Sequence, residues 1–367
     1  MTRSVNQAPQ LCPRDDASHF KIQAGNMVLS QQLTGRKPAI TFCYRGFAAS
    51  WGARHVVASS LERAGYPVRQ VKDGPVEPAA DSIVWVWGNT NWYPRLYAQL
   101  SAMSREQRPL VVLWHTEPLP PPRAARLPWP WLNWWEAAKF VLRDPDATDV
   151  YINYLVLRRW LGAGLLDILV TATLGRCEFL TERGIAADWA PLGYELSCGH
   201  DLGLPRDINV LFLGSPDVPR RNRLLRRLRK NGVHIKVVGS YVDPHCWGEH
   251  RTELLNRTKI LLNLARTPGE FPDLRLILGM ANKALVVSEP IYRPDPFVPG
   301  QHFISASIER MPERIRYYLT QVEERRLISE RAHQLITQDV TLDRSVGRIL
   351  DLVSARMHHR APVQSVV

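Results

Sequence analysis

Residues 206–239 read RDINVLFLGSPDVPRRNRLLRRLRKNGVHIKVVG. Ile208–Leu213 is an unbroken apolar run, the pattern of a strand buried on both faces. Gly214 ends the run, and an Arg-rich helical stretch follows until Gly232 stops it. His234–Val238 then starts the next strand. Strand, glycine turn, helix, glycine stop and strand make the repeating unit of a parallel sheet with helices on its faces. Outward from this unit the alternation continues. Downstream, strands are expected at Lys259–Leu264, Ala284–Val287 and His302–Ser305. Helices are expected at Glu249–Asn256, Asp273–Asn282, Ile308–Leu319, Glu323–Thr337 and Thr341–Arg356.

Upstream, the same grammar runs once before. Strands are expected at Ile40–Tyr44, Pro67–Val71, Ser82–Trp87, Leu110–Trp114 and Asp167–Thr171. Helices should fill Gly52–Ala64, Pro94–Met103, Trp131–Leu142, Asp149–Leu161 and the region of Cys177–Arg183. Residues 191–207, PLGYELSCGHDLGLPRD, read as a linker. The expectation is an α/β protein of two Rossmann-like domains facing a cleft, at 37–190 and 208–340. A polar, irregular arm (1–36) precedes them, and a C-terminal helix and tail (341–367) follows. A chain of 367 residues is longer than one core usually holds, and its 45% hydrophobic content suffices for two. In such sheets ligands bind beyond the carboxyl ends of the strands, here in the interdomain cleft.

The formal net charge of +12 points to anionic partners, or to a basic solvated surface. The five Cys form no CxxC pair, which suits a reduced, cytoplasmic chain without a disulfide framework or zinc site. The N-terminus carries no secretory signal pattern. Neither a G-x-G-x-x-G fingerprint nor a Walker loop occurs, and Gly162-Ala-Gly164 reads as a turn, which argues against dehydrogenase and nucleoside-triphosphatase chemistry. Asp144-Pro-Asp146 matches a D-x-D metal dyad only by spacing, since Pro145 makes it a turn, so no metal site is expected.

The turn at Gly214 and Ser215 offers backbone N–H groups and a helix N-terminus to an anion, with Arg220 and Arg221 nearest to clamp it. Arg226, Arg227 and Arg229 read as a solvated face. A second candidate stretch, residues 269–290, is GEFPDLRLILGMANKALVVSEP. Asp273 suits a helix start, whereas Arg275 in the first turn opposes the helix dipole and calls for a phosphate or carboxylate partner.

Together these segments resemble the C-terminal half of GT-B glycosyltransferases, and most nearly the CgeB-like branch, named for a bacterial spore-maturation protein. The resemblance rests on INVLFLGSPDVPRR, KILLNLA, EFPDLRLILGMANKALVVSE, and FVPGQHF followed by a YYL helix. It covers about residues 208–338. Related transferases carry a Glu, seven residues, then a second Glu before A-M-A. Glu270 stands at the first position, which the resemblance places near the donor sugar. Leu278 stands at the second, where the family holds the ribose with a carboxylate. Arg275 matches an Arg of the CgeB-like branch, and Ser288 and Glu289 fall on the donor side with it.

The resemblance implies a metal-independent glycosyltransferase that needs no cofactor, with a nucleotide-sugar as co-substrate and donor and an unidentified acceptor. A GT-B-fold sugar-nucleotide epimerase and a binding or scaffold protein without turnover remain as alternatives. A nucleic-acid partner is not expected, since only the net charge suggests one.

The first half should bind the acceptor. His115 and Glu117 follow a strand at the cleft edge, within reach of an acceptor hydroxyl proton. Arg45 and Gly46 follow the first strand, and Asn89, Thr90 and Asn91 the third. PWPWLNWWEAAKF (128–140) sets Trp129, Trp131, Trp134 and Trp135 beside Arg123 and Arg126. Three readings are open for it: core packing, stacking on sugars, and peripheral contact with an anionic membrane surface.

Overall fold

The computed structural model describes residues 37–45, 53–77, 82–144, 147–216, 218–239, 246–266 and 274–360. Gly46, Asp146, Asp217, Glu270 and Asp273, together with the N-terminal arm and the tail beyond residue 360, lie outside the described residues.

The first half is built from β1 (Ile40–Tyr44), α1 (Ala53–Arg63), β2 (Val68–Lys72), β3 (Ile83–Trp87), α2 (Pro94–Ala102) and β4 (Leu110–His115). It continues through α3 (Trp134–Val141), α4 (Val150–Gly162), β5 (Ile168–Thr171), α5 (Leu174–Thr181) and β6 (Asp188–Trp189). The six strands pair in parallel in the order β2-β1-β3-β4-β5-β6. β3 and β4 are buried along their whole length, which is why they carry unbroken apolar runs. Trp114 packs edge-on against Trp85 and Trp87 at 6.3 and 5.0 Å between ring centres.

The second half repeats the plan with β7 (Ile208–Leu213), α6 (Pro219–Lys230), β8 (Lys236–Val238), α7 (Gly248–Asn256) and β9 (Thr258–Asn263). α8 (Leu274–Ala281), β10 (Leu285–Ser288), β11 (Ile304–Ser305), α9 (Met311–Thr320) and α10 (Val322–Gln338) complete it. Its parallel order is β11-β10-β9-β7-β8. The last helix, α11 (Leu342–Arg360), leaves this half. Its apolar face, Leu342, Val346, Ile349, Leu350 and Val353, is part of the core of the first sheet. Asp343 at its start accepts hydrogen bonds from Ser60 and Arg63 on α1, each at 2.5 Å. The C-terminal helix therefore belongs to the first half's packing.

Most boundaries fall within two residues of those expected. α3 starts at Trp134 rather than Trp131, because the Asn133 side chain accepts the Trp135 and Glu136 N–H groups and caps the helix there. Two-residue β6, in the stretch before the linker, was not expected from pattern. No helix of the described residues is long and apolar enough to cross a membrane.

Candidate functional site

Both sheets reverse direction at a switch point. In the first the chain passes from β1 to β2 on one side and then to β3 on the other; in the second it does the same from β7 to β8 and then to β9. A crevice opens between the carboxyl ends of the two diverging strands, and ligands of such sheets settle there.

In the second half Arg275 spans that crevice. From the first turn of α8 its guanidinium donates to the Leu213 carbonyl at the end of β7 (2.9 Å) and to Asn263 Oδ1 at the end of β9 (2.5 Å). The Leu264 carbonyl lies 3.5 Å from the same group, and the Phe212 ring centre 5.5 Å. The partner that its place against the helix dipole demanded is thus in part the set of carbonyl dipoles at the strand ends. Asn263 continues the network by donating to Ser288 Oγ (3.0 Å), and Ser288 donates to the Glu289 carbonyl (2.8 Å).

Gly214 makes room for this arrangement. Its φ is +143°, and a Cβ there would stand 3.3 Å from the Arg275 guanidinium and 3.9 Å from that of Arg221. Gly214 donates its N–H to Val238 at the end of β8 (2.9 Å), and a Cβ on Gly239 would collide with the Gly214 carbonyl. Only two glycines let the β7 and β8 ends approach this closely. Arg221 is buried and donates to the Leu264 carbonyl (2.9 Å). Ser215 is half-buried beside the turn.

Arg220 and Glu289 form a two-pronged ion pair with N···O distances of 2.9 and 2.5 Å. Arg220 also donates to the Ala265 carbonyl (2.8 Å), and Glu289 accepts the Ala265 N–H (3.0 Å). Both had been read as donor ligands; the structure gives them to each other, and together they pin the loop after β9. Leu278, on α8, is buried in the core, so this chain carries no carboxylate at the position to which the resemblance gives the ribose contact.

In the first half the equivalent crevice is closed by Tyr93. Its hydroxyl reaches the Trp87 carbonyl at the end of β3 (2.6 Å) and the Cys43 carbonyl near the end of β1 (3.1 Å). Burial, with Cys43 and Asp73 nearby, pushes the phenol well above its ordinary value, so it is neutral. Arg45 lies at the mouth, 5.5 Å from the Trp92 ring centre. Its ordinary value is lowered by burial, against the pull of Asp144, Tyr93 and Glu117. Asp144, the first member of the D-x-D pattern, therefore acts as a counter-charge to Arg45. Among the described residues no group of three His, Cys, Asp or Glu is arranged to hold a metal.

His115, at the end of β4, is fully buried, and its ring nitrogens have no partner of good hydrogen-bond geometry, only a weak contact with the Glu117 backbone. Burial, with the Arg176 charge adding to it, lowers its pKa to about 3, while the backbone of Glu117 works weakly the other way. It is a neutral imidazole. The hydroxyls of Thr90 and Thr173, also buried at the strand ends, likewise have no partner. Asn89 is consumed internally, donating to Asn153 (2.7 Å) and capping the turn that begins at Thr90. Asn91 donates to the Ala147 carbonyl (3.1 Å). These two asparagines hold the loop rather than present themselves. Sequence reasoning did not single out Asn263, Thr173 or Arg176. Each follows or ends a strand at the carboxyl edge, a position that would have flagged them.

Residues 220–351 match a protein family described as glycosyl transferase-like. The fold matches GT-B glycosyltransferase structures. A glycosyltransferase from Rickettsia africae superposes with a TM-score of 0.58 at 12% identity, covering 88% of this chain and 99% of that one. Anabaena HepE in complex with UDP-glucose gives 0.56 at 10% identity, covering 86% and 99%. TarM gives 0.54 at 13% identity, covering 81% of this chain, which spans 57% of TarM's length. No curated protein matches the sequence.

Proposed function

We propose that the chain is a glycosyltransferase that moves a sugar from a nucleoside-diphosphate donor to an acceptor hydroxyl, without a metal. The observation that carries this reading is the cationic switch point of the second half, where Arg275 and Arg221 flank Gly214. It lies in a fold shared with Anabaena HepE, whose structure holds UDP-glucose. The diphosphate would sit over the Gly214–Ser215 turn, where backbone N–H groups and guanidinium charge stabilise the leaving group as negative charge grows on it. The resemblance adds Glu270 and Asp273 to the donor side, although both lie outside the described residues. The donor's sugar faces the first half, where His115, Thr90 and Thr173 offer polar atoms with no internal partner of good hydrogen-bond geometry. Neutral His115 can donate or accept a hydrogen bond there, but with its pKa lowered to about 3 it is a weak base, so the acceptor's proton would pass to the Glu117 carboxylate two residues on. The sequence features of the donor half support the CgeB-like branch as its affiliation. The thiols of Cys43, Cys177, Cys198 and Cys246, none of them in a disulfide, suit a reducing cytoplasm, with the protein at the face of the membrane.

One observation favours a second reading. Leu278 stands where related transferases hold the ribose with a carboxylate, the one feature that fits a GT-B-fold binding or scaffold protein that kept the fold and lost turnover. A single experiment separates the two. The purified chain is mixed with UDP-, GDP- and dTDP-sugars, and both its thermal midpoint and the release of free nucleoside diphosphate are followed. A donor at a hundred times its dissociation constant raises stability by about 2.7 kcal/mol. Stabilisation with slow release of diphosphate supports the transferase. Stabilisation without any release supports the binding protein, and no response to any nucleotide sugar removes both.

A further inference from the structure

Helix α3 inverts the usual surface pattern. A surface helix normally turns its apolar stripe to the core and its charges to water. At about 100° per residue, Trp134, Trp135, Ala138, Val141 and the following Leu142 share an arc of roughly 120°. All five face solvent; Trp134 is 78% exposed, Trp135 73%, Val141 78% and Leu142 80%. No residue of α3 is buried. The helix's one acid, Glu136, is on the inner side, accepting the Thr148 N–H (3.0 Å) and the Lys139 ammonium (2.9 Å). Trp131, just upstream, is 95% exposed, and Trp129 is 48% exposed.

These side chains are held outward by a fixed frame. Tyr151 donates to the Pro130 carbonyl (2.6 Å), Asp149 accepts the Asn133 N–H (3.2 Å), and Asn133 caps α3. Arg123, Arg126 and Arg143, all exposed, bracket the segment in sequence, and Arg183 lies 6.0 Å from the Trp129 ring centre.

We propose that this face, Trp129 to Arg143, docks into the headgroup region of an anionic lipid membrane. Tryptophan favours that depth, with an apolar ring and a polar N–H, and arginines at its rim meet lipid phosphates. The apolar groups protrude singly instead of lining a groove, which suits a fluid interface better than a protein pocket. A second copy of this chain is disfavoured, because a two-fold contact would set the same arginines against one another. The docking face borders the ligand edge of the first half: Asp144, one residue beyond Arg143, acts on Arg45 at the end of β1. On the glycosyl-transfer reading, and resting on it, the acceptor is then an amphiphile carried in the membrane. The docking itself is independent of that reading.

The test uses the full chain with phosphatidylcholine vesicles, with and without phosphatidylglycerol, in the absence of nucleotide. The protein should co-sediment with the anionic vesicles and weakly with the neutral ones, and release as salt rises. Its fluorescence should shift to the blue and be quenched by lipids with brominated chains. The combined Trp131→Ser, Trp134→Ser and Trp135→Ser variant should keep the thermal midpoint, since those side chains touch little. It should bind at least ~100-fold more weakly. Absence of vesicle binding, or binding unchanged in the triple variant, overturns the proposal. So does a wild-type dimer that the variant dissociates with no lipid affinity, which would assign the face to a second copy.

Discussion

The two switch points are built on one plan and filled with opposite chemistry. Between β1 and β3 a buried neutral phenol, Tyr93, bridges the strand-end carbonyls of Cys43 and Trp87. Between β7 and β9 a guanidinium, Arg275, bridges Leu213 and Asn263. Carbonyl dipoles converge on both crevices, so either a hydroxyl donor or a cation satisfies them. In the second the cation is itself the bridging group, whereas Arg45 at the mouth of the first faces the charges of Asp144 and Glu117. The fold thus supplies two equivalent crevices, each bridged by a different residue, and on the proposed function the guanidinium-bridged one receives the anion. The edge around them follows suit. Neutral His115 and unpartnered Thr90 and Thr173 line the first, whereas Arg220, Arg221 and Glu289 surround the second.

The largest expected effect comes from breaking the charged edge. Glu289→Ala leaves Arg220 and the Ala265 N–H without their shared acceptor, and should cost about 3–5 kcal/mol in denaturant unfolding. Adding Arg220→Ala should recover part of that loss. Equal costs that simply add would show that the pair is not coupled.

The neutral edge should reveal itself through acid. Folded His115 takes its proton only near pH 3, whereas the unfolded side chain does so near 6.5. Between those values the unfolded chain binds more protons, so stability falls as pH drops through the window. At pH 5 the loss should reach about 2 kcal/mol, at about 1.4 kcal/mol per pH unit. His115→Gln should flatten that part of the profile. An unchanged profile would mean that the imidazole is not buried in neutral form.

Tyr93→Phe sharpens the comparison further. It should cost about 1–3 kcal/mol by stranding two buried carbonyls, without touching nucleotide affinity. The smallest effect belongs to the tie between α1 and α11. Arg63 and Asp343 are each 56% exposed, so Arg63→Ala should cost less than about 1 kcal/mol. A larger loss would show that this contact, rather than the apolar face of α11, holds the helix on the first sheet.

Much of the fold was legible because parallel strands buried on both faces must be unbroken apolar runs; β1 and β7 fall on their expected limits. What pattern could not supply was partnership across the chain. Arg220 meets Glu289 from 69 residues away, so both looked like ligands until the fold joined them. α11 was readable as a helix, but its amphipathic stripe does not say which of two sheets it covers. Asn89 occupied a ligand position by topology, yet its amide was needed to hold Asn153 and a turn. Core packing was one reading of the Trp-rich segment, and the solvent exposure of Trp131, Trp134 and Trp135 overturns it. Arg275 was found from sequence through its conflict with the helix dipole, which marked it as a residue with a partner elsewhere.

The central claim is that the cation in the second switch point makes the donor site. Its most direct test is a calorimetric titration of wild type, Arg275→Met and Tyr93→Phe with UDP, GDP and dTDP. One nucleotide should bind wild type and Tyr93→Phe alike, and lose about a hundredfold in affinity, roughly 2.7 kcal/mol, in Arg275→Met. Equal affinity in a folded Arg275→Met, or a loss confined to Tyr93→Phe, would contradict the account.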